Sequence, residues 1–293
     1  MFFSNGYLNT LTILPLLLIG IHYPFKKLLS FLAFYPPPTP KAQFSTFQKL
    51  LLRDSSNSSK RTIPFYFLQA LDSKVKTTIL LSHGNGTNIV EMLQYAEFLR
   101  RTLNVNVLHY EYFGYDQWQK PSEGDVYASA EAAFDYLVKE QKIDPSDIYV
   151  FGISIGSGPS CHLAHKYQNI GGLILQTPLL SILQVGLGKT FMKPLLPLLR
   201  PYDMFCNNYK IPSIKAPVLI VHGTEDSIVP YSHGVELFER AQNKFKIVTV
   251  PNANHNDIFN YLHPSEYNQH LMEFIEQTKN NVAMTMDSAR RNL

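Results

Sequence analysis

Ile148-Tyr149-Val150-Phe151-Gly152-Ile153-Ser154-Ile155-Gly156 is the stretch whose reading decides the fold. The first four residues are an apolar, strand-like run, and Gly158-Pro159-Ser160-Cys161-His162-Leu163-Ala164 reads as the opening of a helix. A strand that stops at G-x-S-x-G and turns at once into a helix forces the serine into a sharp, strained turn, so its hydroxyl projects from the sheet edge. Gly152 and Gly156 are expected because a side chain at either position would collide with the backbone opposite, and Ser157 and Gly158 continue the close approach. Five-residue matches to this pattern occur in unrelated loops. Here the strand before and the helix after supply the context that the motif requires.

Working outward, strongly apolar runs at residues 77–82, 105–112, 171–176, 217–221 and 246–250 alternate with segments of helical spacing. That alternation predicts an α/β fold, a mainly parallel sheet with helices on both faces. The alternation breaks between Pro178 and Pro212, where a proline-studded, leucine-rich segment is expected to sit over the strand ends as a short lid-like insertion. Residues 41–278 are read as the globular α/β domain and 279–293 as a polar tail. A polar loop, Asp54 to Lys60, separates two antiparallel strands at its start.

The amino end carries an uncharged run, Leu11 to Ile21, followed by Lys26-Lys27, a second apolar patch from Leu28 to Tyr35, and the stiff spacer Pro36-Pro37-Pro38-Thr39-Pro40. No basic region precedes the run and no small-residue cleavage site follows it, which disfavours a cleaved secretory signal. Residues 1–40 therefore read as a membrane-anchor segment and spacer, with residues 1–35 meeting the membrane surface either as a span or in the interface plane. The lysine pair would hold the catalytic side in the cytoplasm. A helix packed on the protein's own body remains the alternative reading.

Composition bounds the function. With 45% apolar and 17% charged residues over 293 positions, the chain is that of a packed globular protein. A net charge of +3, carried by scattered lysines, gives no basic stripe, and nucleic acid is excluded as a partner. Cys161 and Cys206 form no metal or redox spacing, so no metal or cofactor is expected.

A serine hydroxyl is a poor nucleophile until an imidazole takes its proton, and that imidazole needs a carboxylate to fix its tautomer. Along this type of sheet the order is Ser, then Asp or Glu, then His. Asp226 lies just beyond the run Val218 to Val221, and His255 just beyond the last strand, so both fall on the rim where such sheets build their sites. Glu225 competes with Asp226, and Asp257 reads better as a helix cap. His83, His109, His222 and His233 read as structural, and Cys161 as packed in the helix after the elbow. The backbone N–H of Ile155, the residue after Ser154, is one expected oxyanion donor, and Asn85 in the loop His83-Gly84-Asn85-Gly86 is the other.

Together HGNG at 83–86, YFGYDQWQKPSEGDVYASAEAAFDYL at 112–137, FGISIGSGP at 151–159, LIVHGTEDSIVPYSHGVELFER at 219–240 and ANHNDI at 253–258 resemble the serine hydrolases of the α/β-hydrolase fold. They are most similar to the membrane-associated α/β-hydrolase domain-containing group whose members remove palmitate from protein cysteines. The resemblance implies Ser154 as nucleophile, Asp226 as orienting acid and His255 as base. Three departures stand out: no cysteine precedes Cys161, the 114–118 loop is altered so that Trp118 is expected near the site, and the 178–212 segment is longer, with Phe191 and its leucines expected to form an acyl groove. The expected activity is cleavage of fatty acyl thioesters or esters on an acylated protein or lipid. A small-ester esterase and a non-catalytic, hydrolase-fold subunit of a membrane protein complex are the alternatives.

Overall fold

The computed structural model describes residues 24–52, 61–188 and 190–291. The expected anchor run at 11–21 and the whole of the expected loop at 54–60 lie outside the described residues. The described chain begins with a helix at residues 24–33 (α1) and continues through α2 (Lys41–Phe44), β1 (Gln48–Leu51), β2 (Thr62–Leu68), β3 (Thr78–Ser82), α3 (Leu93–Leu103), β4 (Asn106–Tyr110), α4 (Glu123–Asp135), β5 (Ile148–Ile153) and α5 (Ser157–Lys166). It then forms β6 (Gly172–Gln176), α6 (Ile182–Leu187), α7 (Leu196–Leu199), α8 (Asn207–Lys210), β7 (Val218–Gly223), α9 (Tyr231–Arg240), β8 (Lys244–Val250), α10 (Ile258–Tyr261) and α11 (Pro264–Arg291).

Eight strands form one sheet in the order β1-β2-β4-β3-β5-β6-β7-β8. β1 and β2 pair antiparallel at one edge, and the six strands from β4 to β8 run parallel. The parallel strands β3, β6 and β7 are buried along their whole length, the consequence of covering both faces with helices. Leu80, Leu108, Val150 and Leu173 meet Phe134 of α4, Cys161 and Leu163 of α5 and Leu237 of α9. Ile79, Val107, Tyr149 and Ile174 point the other way, against Leu99 of α3 and Leu271 and Phe274 of α11. Period-two alternation therefore splits one sheet between two cores.

Where a polar tail is expected from residue 279, α11 runs on without a break to Arg291. The 178–212 segment stands over the strand ends, and its foot is bolted to the elbow helix. Phe205 is fully buried against Gly158, and the Asn207 side-chain amide donates to Ser157 Oγ and to the Leu179 carbonyl. Beside it, Phe34 at the end of α1 is fully buried, edge-on to Tyr115 and Phe205.

Candidate active site

The turn after β5 has the geometry that its sequence demands. Ser154 sits at φ 53°, a left-handed conformation rare for a side-chain-bearing residue and the mark of a strained elbow. A Cβ on Gly152 would fall within 3.0 Å of the Gly156 carbonyl and Ser160 Oγ, and one on Gly156 within 3.0 Å of the Ser82 and His83 carbonyls. Only glycine lets the elbow press against both the start of its own helix and the end of β3.

Three strand ends then bring Ser154, His255 and Asp226 together, all three buried. Ser154 Oγ lies 2.9 Å from His255 Nε2, and His255 Nδ1 lies 2.7 Å from Asp226 Oδ2. A carboxylate only accepts, so Nδ1 carries the ring proton and Nε2 is left to accept from the serine hydroxyl. Asp226 Oδ1 accepts from the backbone N–H groups of Ile228 at 3.0 Å and Val229 at 2.7 Å, while Oδ2 also accepts from His222 Nε2 at 3.2 Å. Burial opposes the charge on this carboxyl, but the hydrogen bonds from His222, His255 and Val229 outweigh it and hold Asp226 well below the usual carboxylate range. Asp226 is therefore ionised at neutral pH and orients an imidazole ready to accept a proton.

The preference for Asp226 over Glu225 agrees with burial, Glu225 being exposed and Asp226 buried, while other expectations around this centre are corrected. Asp257 does not cap α10; its Oδ1 accepts the Asn254 N–H, so it braces the loop that carries His255. His222 does serve loop backbone, donating to the Val229 carbonyl at 3.0 Å, but it shares its proton with Asp226. Trp118 is half exposed and donates to the Thr39 carbonyl at 2.8 Å, away from the site. Phe191, 93% exposed, does not line the cavity. Cys161 is packed as expected, and burial pushes its thiol up to about 12.

Ser154, Ile155, Asn85 and His255 open onto a cavity of about 1270 Å³. Its walls are largely apolar: Leu28 and Leu32 of α1, Leu179, Leu183, Leu195 and Leu199 of the insertion. The volume exceeds the ~300–1,000 Å³ of ordinary small-molecule pockets. Asn85 is also a latch. Its side-chain amide donates to the Ala33 carbonyl at 2.6 Å and its Oδ1 accepts from the Tyr35 N–H and the Tyr115 hydroxyl, both at 2.9 Å. The side chain is thus spoken for, and the backbone N–H is what Asn85 can offer to substrate. Sequence reasoning missed Glu111, fully buried and 2.9 Å from His83 Nε2. The signal was there: a lone carboxylate within His109-Tyr110-Glu111-Tyr112 has to be paired if that run is buried. Among the described residues no cluster of three or more His, Cys, Asp or Glu side chains is arranged to hold a metal ion. Among those residues, too, no helix is long and apolar enough to cross a membrane.

A mainly parallel sheet with the serine on an elbow, an acid after β7 and a histidine after β8 defines an α/β hydrolase. Solved structures share this architecture: the esterase Est1E from Butyrivibrio proteoclasticus (TM-score 0.56, 18% identity, covering 79% of this chain and 99% of that one) and the Pyrococcus furiosus esterase Pf2001 (TM-score 0.60, 19% identity, 83% and 99%). At such identity the likeness is one of fold. The profile of the prolyl oligopeptidase family matches residues 198–281, the part that carries Asp226 and His255. Human alpha/beta hydrolase domain-containing protein 17B is 37% identical over 206 residues, covering 69% of this chain and 67% of that protein. A putative alpha/beta hydrolase, L404, of Acanthamoeba polyphaga mimivirus is 32% identical over 233 residues, covering 77% and 85%. The chain belongs to the alpha/beta hydrolase domain-containing protein 17 family, a family of hydrolases.

Proposed function

We propose that the protein is a serine hydrolase that cleaves fatty acyl thioesters or esters through an acyl-enzyme. The observation that carries this reading is the hydrogen-bonded chain Ser154–His255–Asp226 at the floor of a large apolar cavity. Ser154 Oγ attacks the acyl carbonyl carbon as its proton passes to His255 Nε2, giving a tetrahedral oxyanion and an imidazolium that Asp226 stabilises. The backbone N–H groups of Ile155 and Asn85 receive the oxyanion. Collapse breaks the bond to the thiolate or alkoxide, which leaves with the proton from His255. Water, deprotonated by His255, then attacks the acyl-serine and releases the fatty acid.

The apolar walls supplied by α1 and the insertion suit an acyl chain better than a polar substrate. An acylated protein cysteine is the substrate that family membership favours, and a glycerolipid is the alternative the same cavity admits. Exposed Leu28, Phe31, Leu32 and Tyr35 on and after α1 support association with a membrane surface through residues 1–35, and Lys26-Lys27 beside the apolar run favours a cytoplasmic catalytic side. A fluorophosphonate probe with mass spectrometry of the adduct tests the nucleophile, and a panel of matched acyl thioesters, glycerides and soluble esters tests the substrate class. The reading predicts labelling at Ser154 alone, none in Ser154→Ala, and turnover that rises with acyl length. Labelling elsewhere, or equal turnover by folded Ser154→Ala, refutes it.

A further inference from the structure

The loop that carries Asn85 is held from behind by a buried pair that the mechanism above does not use. His83 and Glu111 are both fully buried, with His83 Nε2 2.9 Å from Glu111 Oε1 and His83 Nδ1 2.8 Å from the Gly84 carbonyl oxygen. A carbonyl oxygen only accepts, so Nδ1 is protonated and donates to it. Glu111 also accepts the backbone N–H of Tyr112 on Oε1 and of Ile89 on Oε2, each at 2.9 Å. Both ring nitrogens of His83 therefore face acceptors, and the ring lies behind the loop. Tyr112 stacks on the ring at 4.0 Å and its hydroxyl donates to the His83 carbonyl. His109 meets the ring edge-on at 5.3 Å and Tyr115 lies at 5.7 Å, so the ring is fixed on every side.

The carbonyl of Gly84 and the N–H of Asn85 belong to one peptide unit. In a trans peptide the two point in opposite directions. Drawing the carbonyl back onto His83 aims the Asn85 N–H forward, toward the cavity that Asn85 and Ser154 share. We propose that His83, braced by Glu111, is a positioning residue for the oxyanion site: through the Gly84 carbonyl it fixes and polarises the peptide whose N–H is the Asn85 donor. The inference rests on the hydrolase reading above.

The test separates the two ring nitrogens. An asparagine amide nitrogen reaches the place of Nδ1, and a glutamine amide nitrogen that of Nε2. His83→Asn keeps the donor to Gly84 and loses Glu111; His83→Gln keeps Glu111 and loses the donor to Gly84. If His83 positions the oxyanion peptide, His83→Gln loses kcat by on the order of tenfold to a hundredfold at unchanged KM, while His83→Asn keeps most of it, against the hundredfold or more expected for deleting an oxyanion donor outright. Second-order phosphonylation of Ser154 follows the same order, since the probe's phosphoryl oxygen occupies the same place. A role that merely satisfies buried Glu111 predicts the reverse order, and that result, or wild-type kcat in folded His83→Gln, overturns the proposal. If His83→Gln does not fold, His83→Asn decides: kcat close to wild type supports the proposal, and a loss of tenfold or more at constant KM overturns it. Wild-type protein that Ser154-directed probe leaves unlabelled overturns the hydrolase reading and this one together, whereas normal wild-type labelling with unaffected His83→Gln overturns only this one.

Discussion

Replacing Asp226 by asparagine changes one atom and reverses the logic of the site. The carboxylate accepts four hydrogen bonds: Ile228 and Val229 N–H on Oδ1, His222 and His255 on Oδ2. The asparagine carbonyl can keep the two backbone bonds, which leaves its NH₂ facing both histidines. His222 Nε2 already donates to the Val229 carbonyl and cannot turn into an acceptor without abandoning it. His255 is then the only ring able to accept, and to do so it must move its proton from Nδ1 to Nε2, the nitrogen 2.9 Å from Ser154 Oγ. A protonated Nε2 takes no proton from serine. The expected loss in kcat is on the order of 10⁴-fold, the scale seen when a triad carboxylate is made an amide elsewhere. One donor left without an acceptor in a buried site costs about 1–3 kcal/mol of stability, too little to unfold a protein of ordinary stability. Steady-state hydrolysis of an acyl ester with parallel urea denaturation measures both. A folded Asp226→Asn protein that retains more than about a tenth of wild-type kcat would refute the assignment of Asp226 as the orienting acid.

Gly156→Ala places a Cβ within 3.0 Å of the Ser82 and His83 carbonyls, and overpacking against backbone costs about 1–3 kcal/mol or more, so its urea midpoint is expected to fall and its phosphonylation to slow. Leu183→Trp enlarges a buried side chain on the cavity wall; turnover of long-chain substrates is expected to fall while short-chain turnover holds, and an unchanged chain-length profile would count against this cavity as the acyl site. Burial, with the charge of His83 adding to it, drives His109 from 6.5 down to about 3, although its bond to the Leu81 carbonyl opposes the shift. Its folded value is depressed, so its contribution is present above about pH 6.5 and is lost as pH falls toward about 3, where the unfolded chain takes a proton that the folded chain refuses. Asp226, also depressed, adds a further loss below its usual value of 3.8. Urea midpoints between pH 7 and 4 are expected to decline, and the decline to flatten in His109→Phe.

The meeting of Ser154, Asp226 and His255 was legible because a proposed triad needs those residue types at strand ends, and strand ends are marked locally by an apolar run followed by a turn. The elbow glycines were legible for the same reason, since one pentapeptide contains the whole close approach. Glu111 was not, because its partner His83 lies one strand over, just past the end of β3 where β4 runs beside it, and register between strands leaves no local trace. Asp257 misled because an acid just before a helix is the ordinary cap, whereas here the Asn254 N–H lies nearer in the folded loop. Trp118 and Phe191 misled because a large apolar residue near the site in sequence need not turn toward it. Lining is decided by backbone direction: Trp118 follows a turn with its own φ of 58° and faces Thr39.

Backbone-to-backbone contact seats part of the reacting centre, and side chains hold the cavity walls. Gly156 seats the elbow on Ser82 and His83 at the end of β3, and Gly223 seats the end of β7 on the Ala253 carbonyl, two residues before His255, where a Cβ would again come within 3.0 Å. Those two contacts seat the elbow carrying Ser154 and the loop before His255, while buried side chains, His83 and Glu111 behind Asn85 and His222 beside Asp226, hold the other two loops. The walls are different: Leu28 and Leu32 come from α1 and Leu183, Leu195 and Leu199 from the insertion, elements outside the sheet. The residues that meet Ser154 and the walls of the cavity therefore come from separable parts of the molecule. Asn85 touches both parts, because its side chain is latched to the end of α1 while the residue lines the same cavity as Ser154.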